Sequence, residues 1–148
     1  MNVQRTFANA LVMMVDDEPL TIDVTRVHLL DAGYSRFTST TDPLQALDMI
    51  ERTRPDVLLL DLMMPGISGL EILALMEERG LLRFVPTIML TGSRDPANKL
   101  KALSLGVSEF LMKPLDPSEL VLRLTNTLAA KAYWQGGAAA RWPVRDAR

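Results

Sequence analysis

Four short apolar runs in this chain each end on residues that can do chemistry. Leu11–Val15 runs into Asp16, Asp17 and Glu18, and Val57–Leu60 runs into Asp61, inside Leu59-Leu60-Asp61-Leu62-Met63-Met64-Pro65-Gly66. Thr87–Leu90 ends at Thr91, and Phe110–Met112 ends at Lys113-Pro114. Taken singly, each has an ordinary explanation. An acidic pair ahead of a helix faces its positive end, an Asp closing a strand caps a turn, a Thr there says little, and Lys-Pro commonly ends a strand at the surface. If the runs are strands of one parallel sheet, however, three carboxylates, a hydroxyl and an ammonium meet at one edge. Such clustering is costly, since two unit charges about 4 Å apart repel by ~4 kcal/mol at an effective dielectric of about 20. A fold carries that cost when a cation balances it. Oxygen-only donors with room for water suit Mg²⁺.

The intervening sequence supplies the elements needed to place those ends together. Leu11–Val15, Phe37–Thr40, Val57–Leu60, Thr87–Leu90 and Phe110–Met112 read as strands, three of them almost wholly apolar, as strands covered on both faces are. Between them lie helical stretches with the apolar stripe that a helix turns to the core: Leu20, Val24, Val27 and Leu30, then Leu44, Leu47 and Ile50, and finally Leu120, Leu124 and Leu128. Asp42-Pro43, Asp95-Pro96 and Asp116-Pro117 each offer an acidic N-cap followed by proline at the first helical position. Gln45 and Glu119 stand three residues after two of these caps, where a reciprocal capping partner belongs. Gly33, Gly80 and Gly106 stand where helices should stop. Five β-α units in series predict an α/β fold, a doubly wound parallel five-stranded sheet with right-handed crossovers. Ligands in such sheets gather at the carboxyl ends of the strands, which is where the acids, Thr91 and Lys113 stand.

As a set, Asp16-Asp17, the run Leu-Leu-Leu-Asp61-Leu-Met-Met-Pro-Gly-x-x-Gly, Thr91-Gly92 and Phe110-x-x-Lys113-Pro114 resemble the receiver domains of two-component response regulators, in order from about Leu11 to Ala132. The resemblance implies a (βα)5 sheet of flavodoxin-like order 2-1-3-4-5. It also implies roles. Asp61 is the expected phosphoacceptor; Asp17, Asp61 and the backbone carbonyl of Met63 are expected Mg²⁺ ligands, with Asp16 acting mainly through a bound water. Lys113 is expected to pair with the phosphoryl oxygens, and Thr91 and Phe110 to form the switch pair. The Lys113-Pro114 bond is expected to be cis, as in the family. The phosphoryl donor would be a histidine kinase or phosphotransfer protein. A downstream protein or output domain would be met through the face of the fourth helix, fifth strand and fifth helix, and a homodimer is a separate candidate assembly. Met63 offers no side-chain hydrogen bond to an attacking water and Ser93 is small, so self-dephosphorylation is expected to be slow.

Rival readings fare worse on particular residues. A haloacid-dehalogenase-like phosphohydrolase needs a second Asp two positions after the nucleophile, where this chain has Met63. A flavin or nucleotide site wants a glycine- or hydroxyl-rich loop after the first strand, but that loop is Asp16-Asp17-Glu18-Pro19. A degenerate receiver that never accepts phosphate would not be expected to keep the full set. His28, the only histidine, has no acidic companion in sequence and reads as a surface residue.

Bulk properties agree. The chain has 148 residues with 48% apolar and 23% charged, suited to one domain that buries a core without staples, and it contains no cysteine. A formal net charge of −2 gives no general reason for direct binding to nucleic acid or anionic membranes. The five-residue run Leu11–Val15 is far too short for a signal core or membrane span, and a cytoplasmic location is expected. Residues 1–9 read as a lead-in, 10–132 as the receiver, and 133–148 as a tail or the start of a linker. The tail holds Trp134, Trp142, Arg141, Arg145 and Arg148, with Gly136-Gly137 expected to break the last helix.

Overall fold

The computed structural model describes residues 7–92, 94–136 and 142. Strands β1 (Leu11–Val15), β2 (Arg36–Thr40), β3 (Val57–Asp61), β4 (Thr87–Thr91) and β5 (Glu109–Met112) alternate with helices α1 (Pro19–Asp31), α2 (Pro43–Thr53), α3 (Gly69–Glu78), α4 (Pro96–Leu105) and α5 (Pro117–Gly136). The strands form one sheet in the order β2-β1-β3-β4-β5, with every adjacent pair parallel. This is the expected order. All residues of β3 and β4 are buried, whereas edge strands β2 and β5 are partly open. That difference explains why β3 and β4 are nearly continuous apolar runs and β2 carries Thr and Ser.

Alternation along the strands feeds two separate cores. Met13, Leu58, Leu60 and Met89 pack with Ile50 of α2, Leu73 of α3 and Ala102 of α4 on one face. Met14, Leu59, Ile88 and Leu90 pack with Leu29 of α1 and Leu124 of α5 on the other. On the second face the Tyr34 hydroxyl, buried after α1, is 2.7 Å from the Thr125 hydroxyl on α5. The acidic caps form as expected: Asp42 accepts from the amide of Leu44, Asp95 from that of Ala97, and Asp116 from those of Ser118 and Glu119. Gly106 ends α4 with a φ of 103°, a left-handed conformation that glycine adopts without a Cβ clash.

Three expectations need correction. The α1 stripe Leu20, Val24, Val27 and Leu30 faces solvent, with Leu20 72% exposed, while Ile22, Thr25 and Leu29 face the core. At helical spacing these two sets lie on opposite sides of α1, so the helix is apolar on both and periodicity alone could not choose. Leu44 is likewise exposed, and α2 buries Pro43, Ala46 and Ile50 instead, with Leu47 only partly covered. Thirdly, the backbone amide of Asp42 donates to the Thr40 hydroxyl at 3.0 Å, a role expected of Gln45, and Glu119 pairs with Arg123 at 3.8 Å. α5 runs on through Gly136, across the 132/133 division.

Candidate functional site

Each site residue is carried to the carboxyl edge by its own strand. β1 ends at Val15, and the next amide, of Asp16, donates to the Thr40 carbonyl at 3.3 Å, which ties the acidic loop to the end of β2. Asp61 is the last residue of β3, and the following Leu62 amide donates to Leu90 at 2.9 Å. The Lys113 amide donates to the Thr91 carbonyl at 2.7 Å, fixing the end of β5 to the end of β4. The register of the sheet thus delivers Asp16, Asp17, Asp61, Thr91 and Lys113 to one place.

One ammonium serves two carboxylates. Lys113 Nζ donates to Asp16 Oδ2 at 3.1 Å and to Asp61 Oδ1 at 3.2 Å. The other Asp16 oxygen accepts the Glu18 amide at 2.9 Å, so both oxygens of Asp16 are engaged. Asp17 joins them: oxygens of Asp16, Asp17 and Asp61 all lie within 4.8 Å of one another. Asp16 and Asp61 are each only 4% exposed, and Asp17 is half-buried. Three oxygen donors at this separation have the chemistry of a hard divalent cation site.

The electrostatics record the crowding. Burial, then the neighbouring Asp16 charge, raises the Asp61 carboxyl to about 6, although Lys113 and the Met63 amide pull the other way. Burial would lower the Lys113 ammonium, but the hydrogen bond and charge of Asp16, with Asp61 behind it, outweigh that and raise it. Lys113 stays charged while Asp61 resists ionisation, as expected where negative charge is in excess.

Thr91 is fully buried at the end of β4. Phe110 is partly buried and packs against the same core as Met89, its register partner on β4. Thr91 lies two residues beyond Met89, so the Thr91 and Phe110 side chains leave the sheet on the same face. The Lys113-Pro114 peptide is cis. Met63 projects outward, 62% exposed, and Ser93 lies outside the described residues. His28 is half-buried rather than a plain surface residue, and lines an apolar groove of about 310 Å³ between α1 and the β5–α5 loop, with Leu20, Val24, Lys113, Pro114 and Leu115.

Residue-type reasoning overlooked Gly69. A Cβ there would collide with the Asp61 carbonyl oxygen, and the Gly69 amide donates to the Leu62 carbonyl at 2.9 Å. The first turn of α3 is thereby pressed against the backbone that carries Asp61. The spacing Pro65-Gly66-x-x-Gly69 holds the signal, but only the three-dimensional approach explains it.

Comparison with known proteins bears on the same residues. The family model described as the response regulator receiver domain matches residues 12–125. The phosphate regulon transcriptional regulatory protein PhoB of Pseudomonas aeruginosa is 36% identical over 117 residues, covering 79% of this chain and 51% of that protein. The DNA-binding response regulator MtrA of Mycolicibacterium smegmatis is 33% identical over 114 residues, 76% of this chain and 48% of its own length. The chain thus spans about half the length of these relatives. Among solved structures, a CheY-like receiver from Methanospirillum hungatei superposes with a TM-score of 0.79 at 25% identity, covering 85% of this chain and 98% of that one. Chemotaxis protein CheY4 of Vibrio cholerae does so at 0.73 and 30% identity, covering 81% and 99%. With its sheet order, its acidic edge and the family match all in agreement, this chain belongs to the response regulator receiver domain family.

Proposed function

We propose that the chain is a phosphorylation-driven switch in which Asp61 accepts a phosphoryl group from a phosphohistidine donor, a histidine kinase or phosphotransfer protein. The observation that carries this is Lys113 held between Asp16 and Asp61 with Asp17 alongside. A carboxylate oxygen of Asp61 forms the new O–P bond while the N–P bond of the donor breaks, its electron pair going to the imidazole. Such transfer depends on in-line positioning and on neutralising the transferred oxygens. Lys113 supplies one positive charge at that point. Asp17, Asp61 and the Met63 carbonyl would hold Mg²⁺ in this reading. Asp16 would contribute through a water, which accords with both of its oxygens being engaged. When bound, Mg²⁺ supplies charge neutralisation and a template for the phosphoryl oxygens.

Conversion of the Asp61 charge to a dianionic acyl phosphate adds negative charge and acceptor oxygens. The Thr91 hydroxyl turns to them, and Phe110, on the same sheet face, follows inward. The signal leaves through α4, β5 and α5, where Leu100, Leu103, Met112 and Leu122 are exposed apolar residues available to an output domain, a downstream protein or a second copy. The donor rests on the outward stripe of α1 and the apolar groove lined by Lys113, whose ammonium pairs with Asp61. Met63, exposed and unable to hold a water by its side chain, keeps self-dephosphorylation slow. The chain acts in the cytoplasm, with residues 10–132 as the receiver, and contacts neither nucleic acid nor membrane directly; no helix among the described residues is long and apolar enough to cross a membrane.

The test is intact mass after incubation with acetyl phosphate and Mg²⁺. The wild-type chain gains one phosphate and Asp61→Asn does not. Uptake by Asp61→Asn at the wild-type rate removes Asp61 from this role.

A further inference from the structure

Trp142 is the only described residue beyond α5, and it does not lie near α5's core. α5 packs with α1 on one face of the sheet, whereas Trp142 packs against the core of the opposite face. Its ring centroid is 5.7 Å from that of Phe84 at an angle of 47°, and the Arg54 guanidinium carbon is 5.2 Å from its centre. Both distances fall in the range of favourable ring–ring and cation–ring contacts. Arg83 stands 6.0 Å from the Phe84 ring, so cationic groups flank the aromatic pair. Arg54 lies three residues before β3 and Phe84 three before β4, which places the contact at the amino edge of the sheet, opposite the acidic cluster. Five residues separate Gly136 from Trp142, a length that reaches roughly 20 Å.

We infer that Arg54 and Phe84 form a receptor for the chain's own Trp142, which anchors at the amino edge of the sheet. One feature favours this occupant: the adjoining residue Asp56 is already held from α5 by Lys131, whose Nζ is 3.2 Å from the Asp56 carbonyl oxygen, so the Trp142 contact lies beside an existing contact between α5 and the start of β3. Arg54 itself sits in a left-handed conformation, φ 50°, at the end of α2, where glycine is the usual residue; the arginine contributes a side chain over the indole that glycine cannot. The other tail tryptophan, Trp134, is 75% exposed and takes no part. The inference is independent of phosphorylation chemistry.

The chain has two tryptophans, so Trp134→Phe leaves Trp142 as the sole indole reporter. In the whole folded chain its emission is expected to be blue-shifted, and its acrylamide quenching several-fold slower than in denaturant. Adding Arg54→Gly, which suits the local backbone and leaves the core alone, should shift emission to the red and speed quenching without lowering the receiver's cooperative melt. Phe84→Ala should act in the same direction. Emission already at the denatured position in Trp134→Phe, or no response to Arg54→Gly, overturns the receptor. Protection that fades on dilution assigns the site to the Trp142 of a second copy and overturns the contact within one chain.

Discussion

At the amino edge of the sheet, Asp56 accepts the Leu11 amide at 2.7 Å and lies 3.6 Å from Lys131, one acid for one base. At the carboxyl edge, Lys113 alone serves Asp16 and Asp61, with Asp17 beside them. The two partly buried lysines respond in opposite directions. Burial outweighs the single Asp56 and lowers Lys131, whereas at Lys113 burial is overcome by Asp16 and Asp61 and the ammonium is raised. The same sheet therefore has one edge where charge is matched and joins secondary structure, and one where negative charge is left in excess. Matched charge holds elements together; excess charge is what the proposed cation and phosphoryl group would meet.

Four measurements can break or sharpen that contrast. The largest effect is kinetic. Lys113→Met should slow phosphoryl uptake from acetyl phosphate by roughly a hundredfold, the scale for losing one preorganised donor to a transition state, while Lys131→Met leaves the rate unchanged. Equal slowing by both would abolish the distinction between the edges.

Next comes stability, where removing one acid from each edge should give opposite signs. Asp61→Asn in chelator at pH 7.5 should stabilise by about 1–3 kcal/mol, because ionising a group raised to about 6 costs more in the folded chain than in the unfolded one. The pH dependence follows. Between the unfolded value near 3.8 and the folded value of about 6, the native state holds the extra proton, so wild-type stability falls as pH rises through that window. The gain from Asp61→Asn should therefore vanish below the window and be complete above it, and Mg²⁺ should shrink it. Asp56→Ala should instead cost about 1–2 kcal/mol by stranding the Leu11 amide. Denaturant melts of the two variants at both ends of the window provide the check; a destabilised Asp61→Asn at pH 7.5 contradicts the charge excess.

Thr91→Ala tests whether the acidic edge is read out through β4. Uptake should persist, while the amide NMR shifts that beryllofluoride induces over α4, β5 and α5 should diminish. A full set of shifts in the variant argues against Thr91 as the reader. Smallest of all, Lys131→Met should change stability by less than about 1 kcal/mol, since the lost ion pair is offset by relief of a desolvated ammonium.

Most of the sheet was legible because burial on both faces makes β3 and β4 continuous apolar runs, and because Asp-Pro pairs mark helix starts with a local mechanism. The acids, Thr91 and Lys113 could be grouped before any coordinates, since a parallel sheet sends all strand ends to one edge. α1 was not legible: Ile22, Thr25 and Leu29 compete with a larger apolar set on the opposite side, and only the contacts with Met14 and Tyr34 decide. Gln45 has the right spacing for a capping partner, but Thr40 reaches the Asp42 amide first. Gly69 against Asp61, and Trp142 against Arg54 and Phe84, are meetings of distant segments with no period or motif to announce them.

Lys113 meets Asp16 across 97 residues of sequence and Asp61 across 52. During synthesis on the ribosome, the three acids are made well before the base that completes their site, and β5 is the last strand to be added to the sheet. A chain ending before Lys113 carries Asp61 without the ammonium that pairs with it, so under the function proposed above its phosphorylation would wait on completion of the sheet.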